Sequence, residues 1–242
     1  MSTNLSLKFL ADLVNKKRYG VEYQPIIETA TQRIFAYECL ARFFDNSNNP
    51  IPPALVFNQL HKEPSYLFQV EYEQKQLQLS NAPDNTKIFI NLDQDSYHTY
   101  NFKKSVNPFI KLLKSFQNND ITVELIENTK INDAVLSLSM VDVLSNNNIS
   151  TAIDDVCSPQ SMLSTSVIQV VDYIKLDKHV VINRQDYNFM NLVNSIIDYA
   201  HKSMKKIILE GVENYDDLLF AHQLNVDYVQ GFLYKDKFIN IS

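Results

Sequence analysis

Five short apolar runs in this chain end in carboxylate or amide side chains: IFINLD, ITVELIEN, STAIDD, YIKLD and IILEGVE. A single acid after a strand usually caps a helix or stabilises a turn. Repetition at one strand end is different, because parallel strands bring such side chains to the same edge of a sheet, where oxygen ligands bind divalent cations. The residues concerned are Asn91, Glu124, Asp154, Asp155, Asp177 and Glu210, together with Glu38 from the earlier run YECLAR.

Five of these side chains predict a metal site: Glu38, Asn91, Glu124, Asp154 and Asp155. Carboxylates held this close would repel one another, and one or two divalent cations would relieve that repulsion. Oxygen-only ligation favours Mg²⁺ or Mn²⁺ over zinc. The adjacent aspartates suit a two-metal site, which is typical of phosphodiester cleavage. Lys175 either orients the attacking water or simply pairs with the acids, and its residue type alone does not decide between these roles.

The elements that must position these residues alternate between strand and helix. Eight strands with intervening helices in about 240 residues predict a (β/α)₈ barrel. The link between the first two strands, IETATQR, is too short for a parallel crossover, so the first strand should run antiparallel to the second. A doubly wound sheet is the alternative, but the Gly-rich first turn is absent. The predicted strands are VEYQPII, RIFAYECLA, KIFINL, ITVELIE, STAID, DYIKL, KIILEGV and YVQGFLY.

Helices are predicted between most of these strands, and one leads the chain. The lead helix has apolar residues at helical spacing over Leu5–Lys17. The other predicted helices span 68–79, 104–116, 133–144, 189–202 and 215–224, with a shorter one near 161–164.

Composition excludes several functions. The net charge of −6, with no basic stripe, argues against binding to long nucleic acids. No apolar run reaches about 18 residues and no signal peptide is recognisable, so the sequence predicts no membrane span and a cytoplasmic location. The two cysteines, Cys39 and Cys157, form no disulfide framework and lack metal-ligand spacing. With three glycines in the chain, a Gly-rich phosphate loop is excluded, and a phosphate ligand would need metals or side chains.

The ordered set of motifs YQPI, ECLAR, INLD, VELIEN, IDD, VDYIKLD, LEGVE and VQGF resembles the EAL-domain family, over about Tyr23 to Phe232. The resemblance implies a modified TIM barrel with an antiparallel first strand. It also implies bacterial signalling activity, namely metal-dependent hydrolysis of cyclic di-GMP to linear pGpG, and a homodimer. We therefore expect a single EAL-type domain over 1–242, with a lead helix in 1–18 and the barrel over about 20–235.

The resemblance also implies roles for individual residues. The signature Glu-Ala-Leu here reads Glu-Cys-Leu, and Glu127 matches the acid that braces the following loop. The implied catalytic residues are Glu210 and Lys175, which handle the proton or the attacking water. The implied metal ligands are Glu38, Asn91, Glu124, Asp154 and Asp155, and the implied substrate contacts are Gln24, Leu40, Arg42 and Gln230.

One segment departs from the family pattern. After the aspartate pair the family reads Phe-Gly-Thr-Gly, whereas this chain has Val156, Cys157, Ser158 and Pro159, which changes the backbone freedom of the loop. The intact ligand set favours catalysis. The alternative is a catalytically weak or inactive cyclic di-GMP receptor, or a module that binds an unidentified protein partner. A purely structural barrel, with caps and surface pairs for acids, is the third reading.

The many aromatic residues could suggest a base-stacking platform, but their positions in strand and helix patterns indicate core packing. Phe232 or Tyr234, near the last strand, could face a guanine.

Overall fold

The computed structural model describes residues 5–99, 107–116, 119–125 and 131–241, and the side chains of all of these except 131–134. Its strands form one sheet that contains each of the eight predicted strands. Two further short strands, β3 and β10, were not predicted. The strands are β1 Tyr19–Glu28, β2 Ile34–Phe44, β3 Pro50–Ile51, β4 Lys87–Leu92, β5 Ile121–Leu125, β6 Ser150–Val156, β7 Tyr173–Leu176, β8 Lys206–Leu209, β9 Tyr228–Val229 and β10 Ile239–Ile241.

The sheet closes into an eight-stranded barrel. From β2 through β4, β5, β6, β7 and β8 to β9, every neighbouring pair is parallel. The ring closes through β1, which runs antiparallel to both β2 and β9. The predicted modified TIM barrel with an antiparallel first strand is therefore confirmed. The extra strands β3 and β10 pair with β2 and β1.

Helices surround the barrel, and most lie where the periodicity places them. Two local predictions were wrong. The helix predicted near 161–164 begins only at Thr165, after its cap Ser164, and the last predicted strand ends at Val229, because Phe232–Lys237 form a 3₁₀ helix. The helices are α1 Leu7–Asn15, α2 Pro53–Leu60, α3 Pro64–Ser80, α4 Gln94–His98, α5 Pro108–Ser115, α6 Ile131–Ser145, α7 Thr165–Val170, α8 His179–Ile182, α9 Tyr187–Lys202 and α10 Tyr215–Gln223.

The lead helix α1 covers a second, smaller core beside the barrel. Leu10, Leu13 and Val14 are buried there against side chains from α2, α3 and β2. Arg18 fixes the end of this helix, because its guanidinium contacts Asp12 Oδ2 at 2.8 Å and the carbonyl oxygen of Phe44 at 3.0 Å. In the described part of the chain, no helix has both the length and the apolar character that a membrane span requires.

An apolar plug fills the lower half of the barrel and supports the layer above it. Its members include Ile26, Phe89, Ile208 and Tyr228, with Tyr173 packed against them. The rings of Phe89 and Tyr173 meet edge to face with centroids 5.0 Å apart. Because side chains alternate in direction along a strand, the residue two positions away on each strand also faces inward, one layer higher.

Candidate active site

The inward layer above the plug is polar on all eight strands of the ring. On seven strands the polar residue lies two positions after its plug-level neighbour; on β1, which runs the opposite way, it lies two positions before it. These positions are at the carboxyl ends of the parallel strands, where barrel enzymes place their chemistry. The pairs are Ile26 and Gln24, Ala36 and Glu38, Phe89 and Asn91, Thr122 and Glu124, Ala152 and Asp154, Tyr173 and Lys175, Ile208 and Glu210, and Tyr228 and Gln230.

Amide side chains link the acids of this layer across neighbouring strands. Gln230 Nε2 donates to Glu38 Oε2 at 2.6 Å, and Asn91 Nδ2 lies 3.0 Å from both Glu38 Oε1 and Glu124 Oε2. Gln230 also lies 3.4 Å from Gln24 Oε1. Five of the residues predicted from the sequence as metal or substrate ligands therefore form one hydrogen-bonded chain: Gln24, Gln230, Glu38, Asn91 and Glu124.

Lys175 lies at the centre of the acids and is completely buried. Its Nζ is 2.8 Å from Glu210 Oε1, 2.9 Å from Glu124 Oε1 and 3.0 Å from Asp154 Oδ1. Glu38 Oε2 follows at 3.4 Å. We refer to Glu38, Glu124, Asp154 and Glu210 as the acid cluster. The pairing of Lys175 with carboxylates, one of the two roles left open by the sequence, is present in the structure.

Burial and mutual repulsion shift the pKa values of the acid cluster. Burial, opposed by the charge of Lys175, raises the pKa of Glu210 to about 8. Burial and the charge of Glu38 raise the pKa of Glu124 well above its usual range, and burial raises that of Asp154. Glu38 differs: burial opposes its ionisation, but Lys175 and the amide donors together lower its pKa. The protein environment therefore favours the protonated form of Glu124, Asp154 and Glu210 and the ionised form of Glu38.

The donor set fits a hard divalent cation. Carboxylate oxygens of Glu38, Glu124 and Asp154 lie within 4.8 Å of one another, and so do those of Asp154, Asp155 and Glu210. Asp154 belongs to both groups, which is the arrangement that two neighbouring ions require. Apart from their ion pairs with Lys175 Nζ, Glu124 Oε1 and Asp154 Oδ1 are buried without a hydrogen bond to any described residue, so each is a candidate ligand atom.

Two cavities share Leu40 in their lining, and the first of them is lined by members of the acid cluster. The first, of about 280 Å³, is lined by Gln24, Glu38, Asp154, Glu210 and Gln230, and by the exposed ring of Phe232. The second, of about 310 Å³, is lined by Arg42, Asn91, His61, Lys75, Glu71 and Asp93, among others. All four predicted substrate contacts line one cavity or the other. Tyr234, in contrast, is buried and donates to Gln32, so it does not face either cavity.

The family model of the EAL domain matches the sequence over residues 8–236 of the 242-residue chain. The chain belongs to the EAL-domain family. It is 26% identical over 246 aligned residues to the cyclic di-GMP phosphodiesterase PdeA of Borreliella burgdorferi, an alignment that covers 96% of this chain and 35% of PdeA. The chain thus spans about a third of the length of this relative.

Solved EAL structures share the fold of this EAL domain. The FimX EAL domain of Pseudomonas aeruginosa, bound to c-di-GMP, superposes with a TM-score of 0.75 at 19% identity, covering 93% of both chains. The YkuI protein of Bacillus subtilis, in complex with c-di-GMP and calcium, gives the same score and identity, covering 93% of this chain and 56% of YkuI. At this identity the likeness establishes the fold.

Two non-glycine residues with positive φ lie near the end of β6 in this EAL domain, one in the aspartate pair and one in the loop that follows it. Asp155 has φ 52° and Cys157 has φ 70°. At Cys157, where the resemblance to the family predicts a glycine, the backbone has a conformation that favours glycine. Its thiol is half-buried, and burial raises its pKa to about 11. Both cysteines are unpaired thiols.

Two of the strand-end acids are helix or turn caps. Asp177 Oδ1 accepts from the amide of His179, and Asp93 Oδ1 accepts from the amide of Ser96 at the start of α4. Asp93 and Asp177 therefore do not belong to the acid cluster. Their side chains cap backbone amides, which is the usual role of a single acid after a strand. Glu127, predicted to brace the neighbouring loop, lies outside the described residues.

The second cavity contains polar residues that sequence reasoning missed. Glu71 and Lys75 on α3 are both buried and form an ion pair of 3.1 Å. His61, at the end of α2, contacts Asp93 Oδ2 at 2.8 Å. The sequence carries a signal for the Glu71–Lys75 pair. Glu71, Gln74, Lys75 and Gln78 recur at helical spacing on one buried face of α3, and a buried polar face on a helix indicates paired side chains. No local signal joins His61 to Asp93, because they are 32 residues apart.

Proposed function

We propose that this EAL domain is a divalent-metal-dependent phosphodiesterase that hydrolyses cyclic di-GMP to linear pGpG. The observation that carries the proposal is the convergence of four acids and Asn91 at two cavities that share Leu40 in their lining. An inert barrel has no need to hold buried acids at such distances, because each must be desolvated against the repulsion of the others. The names of its relatives agree with this substrate class.

The residues divide into two groups of ligands. Glu38, Asn91, Glu124 and Asp154 would hold one Mg²⁺ or Mn²⁺, and Asp154, Asp155 and Glu210 a second. When bound, the cations would stabilise the attacking and leaving oxygens of the phosphodiester. Glu210, which lines the first cavity, would accept the proton of the attacking water on its second carboxylate oxygen, the one not bound to the cation. Lys175 would orient that water or offset negative charge as it develops on the phosphate.

The two cavities suit the two halves of a cyclic dinucleotide. Leu40, which lines both, offers an apolar surface for the substrate. Arg42 Nη2 donates to Glu22 Oε1 at 2.5 Å, which fixes the guanidinium at the second cavity, where its remaining donors suit a phosphate or a guanine edge. Gln24 and Gln230 offer amides in the first cavity. We further propose that residues 1–242 act as one domain, as a homodimer, in the bacterial cytoplasm.

The test is incubation of the purified protein with cyclic di-GMP and Mn²⁺ or Mg²⁺, followed by chromatography for pGpG. We expect metal-dependent product that disappears with EDTA and in Glu38→Ala or Asp154→Ala. Asp198→Ala is the matched control, because Asp198 is an exposed acid on α9 paired only to Lys202 among described residues. Full turnover in Glu38→Ala would refute the metal assignment.

A second candidate is a cyclic di-GMP receptor or protein-interaction module with little turnover. The observation favouring it is the strained Cys157 and the following Ser-Pro in the loop beside Asp155. Nucleotide binding without pGpG at saturating Mn²⁺ would support this candidate. Restoring Phe-Gly-Thr-Gly at 156–159 should then produce turnover; a restored loop without any change in activity would exclude the loop as the cause.

A further inference from the structure

Lys175 places a fixed positive charge where divalent cations are expected to bind. Its side chain is completely buried on β7, so water does not screen its charge. Each acid of the cluster has an oxygen within 3.4 Å of Nζ. The contacts are ionic more than directional, because Nζ, Glu124 Oε1 and Asp154 Oδ1 make no hydrogen bond of standard geometry to a described residue.

The four acids that contact Lys175 are also members of the two candidate metal sites. Glu124 and Glu38 belong to one group, Glu210 to the other, and Asp154 to both. A cation that already neutralises these carboxylates reduces the electrostatic attraction they offer to an incoming ion. It also removes the need for an ion, because it keeps the repelling acids together when no metal is bound.

We propose that Lys175 is the internal counter-ion of the metal-free site, with which the divalent cation must compete. Lys175 holds the acid cluster together when no metal is bound. Because it already neutralises these carboxylates, it also lowers their affinity for a metal ion. The inference rests on the metal site of the proposed function, but it concerns binding and stability and is independent of which substrate is hydrolysed. Any role of Lys175 towards the attacking water is separate from it.

The first test measures Mn²⁺ binding by titration calorimetry at pH 8.0, without nucleotide. Lys175→Met removes the charge and keeps most of the side-chain volume. We expect the Kd for Mn²⁺ to fall at least tenfold relative to the unaltered protein. Lys206→Met is the control, since Lys206 is exposed at the start of β8 and pairs with Asp227. An unchanged or weaker affinity in Lys175→Met would overturn the proposal.

The second test measures thermal unfolding with and without saturating Mn²⁺. Lys175→Met should lower the melting temperature of the metal-free protein, and Mn²⁺ should raise it by more than it raises that of the unaltered protein. Adding Glu124→Gln to Lys175→Met removes one of the mutually repelling acids together with their counter-ion, so this double variant should regain much of the metal-free melting temperature. An equal loss with and without Mn²⁺, unrecovered in the double variant, would show that Lys175 serves only packing.

A comparison in a second background covers the case in which Lys175→Met does not fold. The Kd for Mn²⁺ of Lys175→Met/Glu124→Gln is compared with that of Glu124→Gln alone, which has the same acids. The double variant should bind Mn²⁺ more tightly, and equal affinity would contradict the proposal. The binding and unfolding measurements contain no nucleotide. If the protein failed to hydrolyse cyclic di-GMP, the proposed function would be refuted, but the results of these measurements would be unaffected.

Discussion

Gln230 donates a 2.6 Å hydrogen bond to Glu38 across the seam of the barrel, where two segments 192 residues apart in the chain meet. The bond joins the end of β9 to β2 across β1, which lies between them in the ring. Both side chains are buried, at 4% and 5% exposure, so the carboxylate depends on this donor for the solvation it has lost. One side-chain contact thus spans the closure of the barrel and orients a candidate metal ligand.

Replacing Gln230 by leucine should therefore destabilise the protein. A hydrogen bond to a charged group contributes about 1.5–3 kcal/mol, so Gln230→Leu should lower the free energy of unfolding by about that amount in urea. Gln69→Leu is the control: Gln69 is exposed on α3, and its loss should change the same quantity by less than about 0.5 kcal/mol. Equal effects of the two substitutions would show that the seam contact is not stabilising.

Metal affinity should rise with pH. With a pKa of about 8 in the metal-free protein, Glu210 is largely protonated at pH 7, and a cation must displace that proton. Below pH 8 each pH unit should therefore raise the apparent Mn²⁺ affinity by up to about tenfold per proton displaced, and the rise should flatten above pH 8.

Calorimetry in buffers of different ionisation enthalpy measures the protons released. Glu210→Gln should release fewer protons than the unaltered protein at pH 7. Asp198→Asn, at an exposed acid remote from the site, should release the same number. A pH-independent affinity between pH 6 and 8 would contradict the raised pKa of Glu210.

The polar layer of the barrel is encoded by a simple two-residue offset. A plug residue followed two positions later by an acid, amide or lysine recurs in AYE, FIN, TVE, AID, YIK, ILE and YVQ. Strand alternation converts this spacing into an inward-facing ring, which is why the convergence of these side chains at one end of the barrel could be predicted from the sequence.

What the sequence could not supply depends on tertiary placement. Asp93 and Asp177 follow strands as Asp154 does, yet they cap helices or turns, and only the positions of nearby amides distinguish them. The short strand β10 has little intrinsic signal and exists because the edge of β1 is available to it. The pairing of Lys175 with four acids from four other strands likewise depends on the closed ring.

Cys157 should respond differently to glycine and to alanine. A φ of 70° costs a non-glycine residue about 1–2 kcal/mol. Glycine avoids this steric cost, but the gain is only partial because glycine loses more conformational entropy on folding. Cys157→Gly should therefore exceed Cys157→Ala in unfolding free energy by about 1 kcal/mol. The comparison removes the thiol in both variants, so chemical denaturation reports the backbone alone; equal stabilities would mean that the loop is not strained there.

Gly211 should not tolerate a side chain, because Lys178 already fills the space. A Cβ on Gly211 would lie 2.3 Å from Lys178 Cβ and 3.0 Å from its Cα, and the φ of +71° adds backbone strain. Gly211→Ala should lower the unfolding free energy by roughly 2–4 kcal/mol. It should also displace the adjacent Glu210 and weaken Mn²⁺ binding.

A second substitution identifies the clash. In Gly211→Ala/Lys178→Gly the nearest obstructing atom is removed, so part of the lost stability and Mn²⁺ affinity should return, relative to Lys178→Gly alone. Gly231→Ala offers the contrast, because its Cβ would meet the backbone oxygen of Val212 at 2.1 Å, which no side-chain truncation can relieve. If Lys178→Gly recovered nothing in the Gly211→Ala background, packing against Lys178 would not be the reason for glycine at this position.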